Sequence, residues 1–142
     1  LETLAIVDGD LVMSANSFLY LTGPNKLKQD LYFALHEHYG ADPYHPLWGT
    51  ILGQFVGLPM TPMVEQNVLN EVNRVLMNYI AVQADLIKSY NVTDTRSSIS
   101  TADVIGSINS VQAQQVGTSL MISVTLTTMA GQQLVMRREV SA

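Results

Sequence analysis

A chain of 142 residues with 47% apolar residues can build one real core, yet its charged fraction is only 13%, about half the roughly 25% of an ordinary soluble domain. The net charge of −5, with seven scattered Lys and Arg residues that form no patch, argues against nucleic-acid binding, and the absence of cysteine excludes disulfides, thiol chemistry and Cys-ligated metals. Either Asn, Gln, Ser and Thr keep this surface in water, or partner chains cover it.

One domain is expected over residues 1–142, with a helical part at about 25–90 and a strand part at about 101–142. Leu1 in place of Met reads as the loss of an initiator or of a few residues, and no signal peptide or lipidation motif is visible. Pro43 to Val64 is uncharged but carries four prolines, and Val104 to Met136 is uncharged but alternates with Ser, Gln and Thr. Neither reads as a membrane span.

Leu4 to Val7 and Leu11 to Met13 flank Asp8-Gly9, which predicts a tight hairpin that must lean on another element to be stable. Phe18 to Leu21 adds an extended piece, and no internal repeat is read. A first helix is predicted from Lys26 to Tyr39, N-capped by Asn25, with Leu27, Leu31, Ala34, Leu35 and His38 as its buried stripe and Gly40 as its left-handed stop. After the loop Ala41–Pro46, a short helix is predicted from Leu47 to Gly57. Its glycines at 49, 53 and 57 share a face that packs closely, by preference against the first helix. Thr61 caps a long second helix from Pro62 to Tyr90 whose inner stripe runs Val64, Val68, Val72, Val75, Leu76, Tyr79, Gln83, Leu86, Tyr90. Asn67, Asn70, Asn73 and Asn78 line its other faces, where a solvated helix usually carries charge, which suggests contact with other proteins. Strands are predicted at Asp103–Gln115, Ser119–Thr128 and Gln132–Val140, the last two joined in a hairpin. The fold class is therefore α+β: an N-terminal hairpin, two main helices plus a short Gly-rich helix, and a C-terminal antiparallel or mixed sheet.

The informative feature is the run of 33 uncharged residues from Val104 to Met136. Edge strands normally carry Lys, Pro or a bulge that blocks pairing with another chain. Here the edge is either meant for a partner's strand or covered by this chain's own helices. The interaction candidates are Leu120, Ile122, Val124 and Leu126 of the middle strand, Leu134 and Met136 of the last, and Tyr44, His45 and Trp48 of the corner before the short helix.

Catalytic and metal chemistry find little purchase. His36 and His38 lie two apart on a helix and point about 200° away from each other, so with His45 they do not make a metal site. Glu37 and Asp42, with Tyr39, Tyr44 and Trp48 nearby, are the one pair that suggests glycoside hydrolysis, but Glu37 is expected in solvent and Asp42 in a Pro-bounded loop. Asn91-Val92-Thr93 fits a glycosylation acceptor only in a secreted chain. No catalytic, cofactor-binding or metal residue is assigned.

Three segments carry a resemblance: GDLVM, then Asn25-Lys26-Leu27-Lys28-Gln29-Asp30-Leu31, then Tyr39-Gly40-Ala41-Asp42-Pro43-Tyr44-His45-Pro46-Leu47-Trp48-Gly49-Thr50. KLKQDL and GADPYHPLWGT are the most specific parts, and element order extends the likeness over most of the chain. In these the chain resembles the phage baseplate wedge proteins that initiate the tail sheath, a family historically labelled lysozyme-like. The resemblance implies a structural virion protein, made in the host cytoplasm and built into the baseplate of a contractile tail or related injection system. Its helical part would join other wedge subunits and tube-proximal proteins, and its C-terminal strands would give the first sheath ring something to pair with. The family label implies, as the alternative, a peptidoglycan-cleaving hydrolase of the tail. One departure is plain: the Glu-Pro-Arg tripeptide that members often carry after the long helix is absent, and Asp94 and Arg96 are the only stand-ins.

Overall fold

The computed structural model describes residues 2–93 and 100–141, residues 90–93 by their backbone. The fold is α+β: short N-terminal strand pairs, two helices and a C-terminal three-stranded antiparallel sheet. Asp94 and Arg96 lie outside the described residues, as does the side chain of Tyr90.

The N-terminal segment corrects the expectation of one hairpin and no repeat. Six two-residue strands are formed: β1 (Thr3–Leu4), β2 (Ile6–Val7), β3 (Asp10–Leu11), β4 (Met13–Ser14), β5 (Ser17–Phe18) and β6 (Tyr20–Leu21). β2 pairs with β3, β4 with β5, and β6 returns to β1. At the centre the backbone closes a ring of three hydrogen bonds: Ala5 N–H donates to Leu19 C=O (2.8 Å), Val12 N–H to Ala5 C=O (3.0 Å) and Leu19 N–H to Val12 C=O (3.0 Å). Ala5, Val12 and Leu19 are seven residues apart, and so are the turns. Thr3–Gly9, Asp10–Asn16 and Ser17–Gly23 are thus three copies of one seven-residue unit, arranged with approximate threefold symmetry. The repeat is invisible to a search for longer periods because each copy is a single bent strand plus a two-residue turn.

Asp8-Gly9 turns with both φ positive, as expected for a type I′ hairpin. The second turn, Ala15-Asn16, does the same with φ of 46° and 67°, although alanine has no side-chain means of offsetting the left-handed cost. Ala15→Gly should therefore raise stability by about 0.5 kcal/mol, the relieved strain outweighing the greater freedom of glycine in the unfolded chain. A rise in the urea midpoint at constant slope checks this.

The threefold unit does lean on another element. The Gln29 side-chain amide, on the first helix, donates to Leu4 C=O (2.8 Å) and accepts from Ile6 N–H (3.0 Å), so one amide copies the bonding of a neighbouring strand.

Helix α1 spans Gly23–His36, beginning and ending three residues before the expected positions. Thr22, not Asn25, is the N-cap, and Pro24 occupies the first turn, where its missing N–H is no loss. Leu27, Leu31 and Leu35 are fully buried as the period requires, but His38 is exposed. The helix stops early because long-range backbone bonds compete for its last turn. Thr50 N–H donates to Glu37 C=O (2.8 Å), Tyr39 N–H to Thr50 C=O (3.1 Å) and Gly40 N–H to Trp48 C=O (3.1 Å), a small parallel bridge between His38 and Thr50.

That bridge also removes the short helix predicted from Leu47 to Gly57. Only a 3-10 turn, Leu52–Phe55, is formed, and Gly49 and Gly57 have φ of 91° and 82°, outside any right-handed helix. The three glycines share no face. Close approach does occur at Gly49, where an added Cβ would stand 2.3 Å from His38 O, but the neighbour is backbone across the bridge.

Helix α2 spans Pro62–Thr93. Thr61 caps it through its hydroxyl, which accepts from Val64 N–H (3.3 Å), and its C=O accepts from Glu65 N–H (2.9 Å). Val68, Val72, Val75, Leu76 and Gln83 are buried as the stripe predicts, whereas Leu86 is 41% exposed, so the stripe leaves the core before that turn. Asn67, Asn70, Asn73 and Asn78 are exposed.

The sheet follows as β7 (Ile105–Val116), β8 (Ser119–Thr128) and β9 (Gln133–Val140), antiparallel in the order β7-β8-β9. Val116 pairs with Ser119 around Gly117, and β7 has irregular register on either side of Ser107 and Ile108. The inner face of the sheet packs on Leu27, Leu31 and Leu35 of α1, on Val68, Val72 and Leu76 of α2, and on Leu52. Gln83 repeats the device of Gln29: its amide donates to Asp103 C=O (2.8 Å) and accepts from Ile105 N–H (3.1 Å), fixing the start of β7 to α2.

Candidate functional site

Strand alternation decides what each sheet residue does. Leu120, Ile122, Val124, Leu126 and Met136 are all at most 2% exposed and belong to the chain's own core, with Leu134 partly buried against it. As side chains they are therefore turned away from any partner. β8 is also the middle strand, so both its backbone edges are taken. Among the described residues no strand pairs with the outer edges, β7 and β9, and the sheet's other face bears Gln112, Gln114, Met121, Ser123, Thr125 and Thr127, with Gln112 opposite Ser123 and Gln114 opposite Met121.

The two edges are chemically unlike. β9 carries Arg137, Arg138 and Glu139. By alternation Arg138 points inward and is 7% exposed, its guanidinium against His36 Nδ1 and 4.8 Å over the Tyr32 ring, with its Nε unpaired. An inward-pointing charge on an edge strand is one of the devices that keep another strand from adding. Burial, then the Arg138 charge, then His38 hold the His36 imidazole below its ordinary pKa, so it faces the guanidinium neutral. β7 has no charged residue over its whole length, and from Val111 to Val116 its register is regular.

The corner residues form a separate surface. The His45 ring stacks on Trp48 at 3.9 Å between centroids, and its Nδ1 pairs with Asp42 (2.7 Å). Tyr44 projects into solvent, 89% exposed, while Leu47 is 64% and Trp48 38% exposed. The hydrogen bonds from the His45 side chain and from Tyr44 N–H outweigh desolvation and hold the Asp42 carboxyl below its ordinary pKa.

This geometry separates the pair considered for hydrolysis. Asp42 is a partly exposed carboxylate committed to His45. Glu37 instead lines a cavity between α1 and α2, to which Asp42 does not contribute. The three histidines are likewise dispersed: His36 to Arg138, His38 to the bridge, His45 to Asp42 and Trp48. Among the described residues no three His, Asp or Glu side chains gather as metal ligands. No helix of the described residues is long and apolar enough to cross a membrane.

Two features of the surface escaped the sequence reading. The identity of the open edge needed strand order, which places the clearest strand in the middle. The cavity needed the packing of Trp48 against α1 and α2, for which a lone aromatic in a loop gives no signal. No known family's sequence profile and no curated protein sequence matches the chain.

Proposed function

We propose that the chain is a non-catalytic assembly protein of a contractile-tail baseplate, whose β7 edge receives an extended strand from a neighbouring protein, the first sheath ring in particular. The observation that carries this reading is the asymmetry between the edges. β9 is protected by Arg137, Glu139 and the inward Arg138, whereas β7, irregular in register only in its first half, presents Val111–Val116 as a regular, uncharged stretch with β8 as its single strand neighbour among the described residues. Such a stretch is an aggregation hazard in a free monomer and an asset only where another chain pairs with it. The resemblance of KLKQDL and the GADPYHPLWGT corner to sheath-initiating wedge proteins supplies the identity of the partner. Other wedge subunits and tube-proximal proteins are the natural neighbours of the Asn-lined α2 face and the corner.

The test charges each edge in turn. Gln112→Lys with Gln114→Lys adds two exposed cations beside the β7 edge without touching the core, and tails assembled with this variant should carry baseplates without ordered sheath. Arg137→Gln with Glu139→Gln at β9 should leave sheaths normal. Electron microscopy of the particles reads both, and full-length sheath on the β7 variant would refute strand addition there.

A further inference from the structure

The cavity beside Trp48 has a volume of about 260 Å³, many times the roughly 30 Å³ share of one water molecule. Its apolar lining is Ala34 of α1 with Val75 and Val82 of α2 and the rings of Phe33 and Trp48, each almost two-fifths exposed. Two carboxylates line it, Asp30 and Glu37, and among the described residues no cation does. Asp30 is already engaged: it accepts from the Tyr79 hydroxyl (3.1 Å) and pairs with Lys26. Burial, then the Asp30 charge, pushes the Tyr79 hydroxyl far above its ordinary pKa, so it stays a donor to Asp30. The half-buried Glu37 carboxylate has no hydrogen-bond or ionic partner among the described residues.

A carboxylate held against an apolar cavity without a counter-charge is a poor arrangement on its own. We propose that this cavity receives one arginine side chain presented by a neighbouring protein. The aliphatic stem would lie on Val75, Ala34 and Val82, the guanidinium plane against Phe33 or Trp48, and its N–H groups on Glu37. Guanidinium fits each requirement: it stacks on aromatic faces, pairs with carboxylate through two N–H groups and sheds water more easily than an ammonium. A purely apolar side chain would cover Glu37 without pairing it, which costs rather than gains. The source is a protein because Tyr44 and Leu47, exposed in the same corner, provide the surrounding contact that keeps water from a buried anchor. The cavity shares no residue with β7, so this inference does not rest on strand addition.

The sole Trp of the chain is Trp48, and its fluorescence reports on the wall directly. The probes are N-acetyl-arginine amide, its uncharged isostere N-acetyl-citrulline amide, and the norleucine and lysine amides, each titrated into the intact protein. The arginine compound should give a saturable change in the range of about 1–50 mM that one side chain's binding energy allows. Citrulline and norleucine should bind at least about tenfold more weakly, lysine several-fold more weakly, and Glu37→Gln should weaken arginine about tenfold while leaving the thermal midpoint unmoved. Equal saturation by norleucine or citrulline overturns the charge pairing, equal saturation by lysine overturns the preference for guanidinium, and no saturable response to arginine overturns the site. The comparison among probes uses the unmutated chain, so it stands even if the variant is perturbed.

Discussion

Substituting alanine at Gly49, Gly53 and Gly57 in turn should give three different results. Gly49→Ala is expected to cost about 3 kcal/mol or more, from two additive causes. Its φ of 91° is left-handed territory, where a Cβ costs about 1–2 kcal/mol. The new Cβ would also stand 2.3 Å from His38 O and 2.7 Å from Tyr39 N, both backbone atoms that can yield only by breaking the His38–Thr50 bridge. Gly57→Ala meets open space at φ 82° and should cost the strain alone, about 1–2 kcal/mol. Gly53, in the 3-10 turn with nothing within 4 Å and no positive φ, should accept alanine with a change of about 0.5 kcal/mol in either direction. Urea midpoints of the three single variants read the series. Three similar costs would restore the glycine-faced helix that their four-residue spacing suggests and remove the bridge as the organiser of this corner.

The same corner shows where local pattern stops being informative. Elements whose apolar residues have a partner on one face were legible: Leu27, Leu31 and Leu35 on α1, Val68 to Leu76 on α2, and the alternation of Leu120 to Leu126 on β8 all lie where their period puts them. Residues 36–51 were not, because their geometry is set by backbone bonds between segments about ten residues apart, which no periodicity records. The N-terminal unit failed differently. Its seven-residue repeat is present in the sequence, but the turn Ala15-Asn16 lacks the glycine that announces Asp8-Gly9, so only one of its hairpins was visible. For the interaction surface, alternation along β9 already places Arg138 inward with Leu134 and Met136. What the sequence does not hold is strand order, which puts β8 in the middle of the sheet and makes β7 and β9 its edges.

Glu71→Ala should unfold the corner from α2 and cost about 3 kcal/mol. The Glu71 side chain is 8% exposed and well supplied with donors: Oε1 accepts from Ile51 N–H (3.0 Å) and Arg74 Nη2 (2.6 Å), Oε2 accepts from Arg74 Nε (2.9 Å), and the Thr50 hydroxyl lies beside them. Arg74 Nη2 in turn donates to Gly49 C=O (2.8 Å), and its guanidinium sits 5.1 Å over the Tyr39 ring. One carboxylate thus anchors both sides of the bridge. Breaking a fully buried pair costs about 3–5 kcal/mol, and the lower figure applies because Arg74 keeps 35% of its side chain in solvent. The pH dependence separates this anchor from simple loss of packing. Burial alone would raise the Glu71 pKa, but the Arg74 hydrogen bonds, Ile51 N–H and the Arg74 charge outweigh it and hold the carboxyl below its ordinary 4.5. A depressed folded-state value stabilises above the unfolded-state pKa, and that stability is lost as pH falls through the folded one. The urea midpoint of the unmodified chain should therefore drop more steeply below pH 4.5 than that of Glu71→Gln, which keeps the shape and a single acceptor but has no proton to take up. Parallel acid profiles for the two would show that Glu71 holds the corner by packing rather than by charge.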